Sequence, residues 1–252
     1  MESDIQYFLL ILIRIASFIW IAPGFSNKQI HTQAKLVFSI GLTLAVFSVL
    51  EVPGEVIGLG LYSVLILKEV LVGMAIGYIT LLFFSAIEMA GNFVDFQVGF
   101  SMSMSFDPAL GVSASNYGRL YYWIALIIFF LSDVHHHVIR TLVKSFDYVS
   151  ILQVEFPHLG VEGFVRIFVQ MFEVALNLAF PLIVIALASE LVLALLSRTV
   201  PQINVLILGM PMKILLSVIF MYIYLPILGK NITSLFPQML ETLNDFIQSI
   251  GT

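Results

Sequence analysis

Arg198-Thr199-Val200-Pro201-Gln202-Ile203-Asn204-Val205-Leu206-Ile207-Leu208-Gly209-Met210-Pro211-Met212-Lys213 separates two apolar runs, Pro181 to Leu196 before it and Ile214 to Gly229 after it. A cation closes each end, and Pro201, Gln202 and Asn204 interrupt an otherwise oily stretch. Pro201 has no N–H and disfavours helix in the residue before it, so the first run is expected to stop near Arg198 to Val200. Gln202 and Asn204 carry the polar groups that such a break needs for its unpaired backbone. Gly209 and Pro211 then loosen the start of the next helix. A turn in water needs no second proline and few apolar residues. This one is apolar throughout, so it is read as packed against protein. Two long apolar helices joined by a packed turn point to an all-α chain of helical hairpins.

Composition places those hairpins in a membrane. The chain has 252 residues, 60% of them hydrophobic and only 11% charged, with a mean hydropathy of +1.04. A soluble domain carries about 25% charged residues. No polar stretch is long enough to form a separate soluble domain. The net charge of -5 comes from scattered acids, and no Lys/Arg cluster of the kind that binds nucleic acid or anionic headgroups occurs. The absence of cysteine excludes disulfides, thiol catalysis and thiolate metal sites. Glu2 and Asp4, rather than basic residues, precede the first apolar run, and no small-residue cleavage site follows. It reads as a retained helix.

Working outward, Ile5 to Ala22 is about 18 residues, just long enough to span. Arg14 lies near its centre, where insertion costs roughly 2.5–3.5 kcal/mol. It is therefore expected to face protein. Leu36 to Leu50 is short. Val56 to Met89 is over-long, with Lys68 and Glu69 in its middle. Adjacent helical charges diverge by about 100°, so these two are expected to meet different partners or to mark a water-facing corner. Gly73 and Gly77 form a small-xxx-small pair that admits a close helix. Phe164 to Ser197 is also over-long, and Pro181 is positioned to kink or break it. Arg166 and Glu173 share a face expected to turn toward protein. Glu190 has no helix-neighbour cation, so it needs a partner from elsewhere or a proton. Ile232 to Ile250 is amphipathic, with Leu235, Met239, Leu243 and Phe246 opposite Glu241 and Asp245, and reads as a surface or partner-facing helix. The pattern gives about six spans, several of them ill-fitting in length.

Gly91 to Gly118 is the second unusual region. Ser, Met, Phe and Gly alternate before Asp107-Pro108 opens a turn. It reads as too apolar for a free loop and too broken for a spanning helix. Within it, Ser101, Met102, Ser103, Met104, Ser105, Phe106, Asp107 and Pro108 suit a deformable seal, because methionine adapts to irregular surfaces. His135, His136 and His137 invite a metal reading, yet converging helical ligands usually sit at i and i+4. Adjacent histidines diverge, so a solvated interfacial belt is expected and no metal, cofactor or catalytic residue is assigned. No zinc-protease, dinucleotide, P-loop or nucleophile-elbow pattern occurs. The alternative from residues alone is a small-solute secondary transporter using Arg14, Glu69 or Glu190 as coupling charges. That class should show inverted repeats, and none is evident.

Two motifs carry a resemblance. Arg198-x-x-Pro201-Gln202-x-Asn204-x-x-x-x-Gly209-x-Pro211-x-Lys213 resembles the signature of the FliR family, flagellar export-gate subunits of the type III secretion T-component superfamily. Asp95-Phe96-Gln97-Val98-Gly99-Phe100, followed by Phe106-Asp107-Pro108, is similar to that family's central segment. The resemblance covers almost the whole chain, and Gly209-Met210-Pro211-x-Lys213 looks more like the flagellar branch. Ser132-Asp133-Val134 departs from it, since the family more often shows Asn-Gly before the histidine.

The resemblance implies a non-enzymatic core subunit of the flagellar export gate, in the bacterial inner membrane at the basal body. It implies FliP-like, FliQ-like and FlhB-like partners, unfolded export substrates, lipid contact and no nucleic acid. Residues 1–163, with the central loop 91–118, would be the FliP-like region, and 164–252 the FliQ-like hairpin with its amphipathic tail. Residues 101–108 would plug the channel. Arg198, Pro201, Gln202, Asn204, Gly209, Pro211 and Lys213 would contact partners.

Overall fold

A computed structural model describes residues 2–50, 56–100, 115–152, 161–199 and 205–250. These form seven helices and, among the described residues, no strand: α1 (Glu2–Ile21), α2 (Thr32–Phe47), α3 (Leu59–Val98), α4 (Asn116–Leu131), α5 (Val134–Tyr148), α6 (Val161–Thr199) and α7 (Val205–Ile250). The all-α expectation holds. Among the described residues four helices are long and apolar enough to cross a membrane, with α4 and α5 a further span only as a broken pair. That is fewer than the six apolar runs suggested. The 16 residues of α2 rise only about 24 Å, short of the roughly 30 Å hydrocarbon core.

The helices sort into two compact units. One holds α1, α2, α3 up to Phe83, α5, and α7 from Phe236 onward. Its core is seeded by a single stripe of α1, in which Tyr7, Ile11, Arg14, Ile15 and Phe18 are all buried. Val72 and Ile76 of α3, Val138 and Leu142 of α5, and Met239 and Leu243 of α7 complete it. Gly73 and Gly77 make the expected close approach. A Cβ on Gly73 would overlap Ser17 Oγ and the Arg14 carbonyl, and one on Gly77 would lie 3.1 Å from the Phe18 carbonyl oxygen. The amphipathic tail buries its expected face, but as a core component of this unit rather than a surface helix. It is also no separate element, because α7 runs unbroken for 46 residues through Pro211, Gly229 and Pro237.

The other unit holds α3 from Phe84, α4, most of α6, and α7 up to Leu235. Phe84 meets Phe129 edge-on at 5.4 Å, and Tyr121, Ala125, Leu178 and Leu228 fill the space around them. Gly91 touches the α4 backbone, and a Cβ there would overlap Tyr117 and Gly118. That contact explains why the presumed loop from Gly91 onward begins as helix. The small residue admits a neighbour instead of breaking α3, which continues to Val98. Gly99, at φ 99°, ends it in the left-handed conformation that glycine takes without strain.

Pro181 does not break α6, which spans Val161–Thr199 around it. Arg166 and Glu173 are both exposed. The reason is that the face α6 buries within the chain runs through Met171, Val174, Ala175, Leu178, Ala179, Leu182 and Ala186, and Arg166 and Glu173 lie off it.

Candidate functional site

The charges that looked costly in sequence converge in the first unit. Arg14, Lys68 and Glu69 are fully buried. Arg14 Nε donates to Glu69 Oε2, and Nη2 donates to Glu69 Oε1 at 2.9 Å and to the Val149 carbonyl at 3.0 Å. Nη1 donates to the Ser145 carbonyl at 2.9 Å and to Ser145 Oγ at 3.1 Å. These bonds use all of the donors a guanidinium has. The Phe146 ring lies 4.0 Å from the guanidinium carbon, adding a cation–π contact.

Lys68 is equally well served. Its Nζ lies 3.0 Å from Glu69 Oε1 and donates to the Ser150 carbonyl at 2.6 Å and the Ile151 carbonyl at 3.1 Å. The expectation that Lys68 and Glu69 would not pair is therefore wrong. A flexible four-carbon stem carries the ammonium back across the 100° that separates neighbouring helix positions. Neither residue marks a water-facing corner. α3 stays continuous there because every charge finds a partner inside the protein. Arg14 faces protein, as its central position required. Arg14 and Glu69, two of the three coupling charges of the transporter reading, are held by their neighbours.

A second polar cluster lies in the other unit, at the two ends of the undescribed stretch 101–114. Asp95, near the end of α3, is buried. It accepts from Ser115 Oγ and from the Tyr117 amide at 3.1 and 3.2 Å. Ser115 Oγ in turn accepts from the Gly118 amide at 2.8 Å, capping α4. The α4 first turn has no acid of its own, so the Asp95 carboxylate supplies the negative charge its N-terminus favours. Tyr117 OH donates to Ser217 Oγ of α7 at 2.9 Å. An apolar cavity of about 220 Å³, lined by Phe100, Tyr117, Leu120, Val218 and Met221, adjoins this cap. In the sequence Asp95 stands out only as the first residue of Asp95-Phe96-Gln97-Val98-Gly99-Phe100. A lone acid near the end of an apolar helix, ahead of a Ser-x-Tyr helix start, was the available signal.

Of the residues expected to plug a channel, Ser101 to Pro108 all lie outside the described residues, as do Pro201, Gln202 and Asn204 of the turn. Arg198 is exposed in the last described turn of α6. Gly209 is buried and Pro211 exposed, both already inside α7. They do not loosen its start. Lys213 pairs with Glu190 at 3.1 Å, and Glu190 also accepts from Gln97 at 3.4 Å. The distant partner that Glu190 required is Lys213.

At the corner before α5, Asp133 takes φ 56°. Aspartate is among the few residues with a side chain that tolerate this left-handed position. The expectation that the adjacent histidines diverge fails for His135 and His136, whose rings lie 4.0 Å apart. With Asp133 their ligand atoms fall within 4.8 Å of one another. His136 Nδ1 lies 3.3 Å from Asp133 Oδ1, both well exposed.

Apolar helices long enough to cross a membrane, organised around buried polar clusters, define an integral membrane protein. Residues 5–239 match the bacterial export proteins, family 1, and the chain belongs to that family, in its FliR branch. It is 31% identical over 248 residues to the flagellar biosynthetic protein FliR of Bacillus subtilis (strain 168), covering 97% of this chain and 95% of that one. It is 28% identical over 249 residues to FliR of Aquifex aeolicus (strain VF5), covering 98% and 96%. With FliR of Escherichia coli (strain K12) the figures are 25% over 240 residues, covering 95% and 92%.

Proposed function

We propose that this chain is a core structural subunit of the flagellar type III export gate, helping to form and close the channel that passes unfolded flagellar proteins across the inner membrane. The observation that carries the reading is the match to an export family over residues 5–239. It is supported by the uncovered apolar faces of α6 and α7, where Phe180 is 65% and Tyr222 80% exposed. Faces of this kind suit lipid and partner helices. The partners are FliP-like, FliQ-like and FlhB-like chains, with residues 1–163 resembling the first and 164–252 the second. The subunit is not an enzyme. It holds a path open or shut, and the energy for transport comes from elsewhere.

Within this reading, Ser101 to Pro108 forms the plug. The Asp95–Ser115 cap holds the two ends of that stretch together, which fits a segment that must return to one place. Arg198, Gln202, Asn204 and Lys213 secure the C-terminal hairpin against partners. Deleting the chain from its host should abolish secretion of flagellar filament proteins, and supplying it in trans should restore secretion. Normal secretion without it would overturn the proposal. Removing residues 101–108 should leave the assembled complex intact but raise its small-ion conductance. Unchanged conductance in an assembled complex would remove the plug.

A further inference from the structure

α5 has no basic residue in its own last turn, and its C-terminal carbonyls point into a buried space. The last carbonyls of a helix lack partners along the chain and carry partial negative charge. The Ser145 carbonyl already accepts from the Val149 amide at 2.9 Å, and Arg14 from α1 adds a second donor there; beyond the helix, Arg14 takes up the Val149 carbonyl and Lys68 from α3 those of Ser150 and Ile151. Formal charges in the cluster are two cations and one anion, Glu69. The carboxylate offsets one cation, and the end of α5 acts as counter-ion to the other. A cluster so arranged is complete only when the α5 terminus is docked.

We propose that Arg14, Lys68 and Glu69 form a latch that caps α5 from other helices and holds residues 145–151 onto the α1/α3 pair. Lys68 is its releasable half. Losing Lys68 leaves Arg14 and Glu69 as a neutral, mutually bonded pair, while the carbonyls of Ser150 and Ile151 lose the Lys68 donor. The segment then opens locally while the rest of the unit stays closed. Losing Glu69 instead leaves two buried cations facing carbonyls alone, and the whole unit suffers. Neither behaviour depends on what the protein exports.

The absence of native cysteine permits a direct test on the full-length chain in its native membrane. Single cysteines replace Val149, Ser39 or Ala125, all buried, and N-ethylmaleimide labelling rates are measured with and without Lys68→Met. The latch predicts that labelling at position 149 rises at least about tenfold, as a local opening should. Labelling at position 39 in the same unit and at position 125 in the other should stay within about twofold. Should Lys68→Met fail to accumulate, Lys68→Gln is read in the same way, with a smaller rise at position 149. An unchanged rate at position 149, or an equal rise at all three positions, would overturn the proposal.

Discussion

Arg14 shows how a residue that hydropathy penalises becomes a structural centre. Its burial is tolerated because each guanidinium N–H has an acceptor, including both Glu69 oxygens and two groups of Ser145, 131 residues further along the chain. Breaking such a pair from one side costs more than the pair itself contributes, about 3–5 kcal/mol. Glu69→Gln should therefore lower the thermal unfolding midpoint of the detergent-solubilised chain markedly, more than Lys68→Met does. Glycines make an internal control. Gly73→Ala forces a methyl into the α1 backbone and should cost about 1–3 kcal/mol. Gly41 in α2 has nothing within 4 Å, so Gly41→Ala should instead stabilise by about 0.5–1 kcal/mol through reduced backbone freedom. The same thermal scan reads both. At this scale much was legible in the sequence. A central arginine must face protein, and a Gly-xxx-Gly pair admits a helix. What was not legible is where the partners come from. Ser145 and Val149 carry no hint of Arg14 in their own neighbourhood, and helix periodicity could not show a lysine stem folding back onto its neighbour.

Elements were legible where apolar length decides them. The run Ile5 to Ala22 placed α1 to within three residues at either end. Elements were misread where tertiary contact overrides a local signal. Gly91 looked like the start of a loop and proved to be a contact point inside α3, and Lys68-Glu69 looked like a corner and proved to be mid-helix. The tail of α7 was recognised as amphipathic, but the element it packs against could not be named. Phe236, Met239, Leu243 and Phe246 are buried there, and each such side chain stabilises by about 1.5–3 kcal/mol. Together they rival the 5–15 kcal/mol that holds a typical domain folded. Truncation after Leu235 should therefore reduce steady-state accumulation of the chain sharply, as read by immunoblot of membranes. Accumulation at the full-length level would show that the tail is dispensable to the first unit.

At the scale of the whole molecule, the chain buries Arg14, Lys68, Glu69 and Asp95 and leaves much that is apolar uncovered. On α6 and α7 the windows long enough to span are only 28% and 22% buried within the chain, against 56% on α3. A surface of that kind must meet lipid or other helices, and membership of an export family supports other helices for part of it. The function could be approached from sequence because its two motifs resemble one family. On the proposed reading the channel-facing residues could not, because a path that several chains build together is written in none of them alone. The most direct measurement is to tag the full-length chain, extract it in mild detergent from membranes that also contain the FliP-like and FliQ-like chains, and weigh the product by native mass spectrometry. The account predicts one hetero-oligomer containing all three chains. A chain that elutes alone and monodisperse, from membranes in which the other two have accumulated, would contradict it.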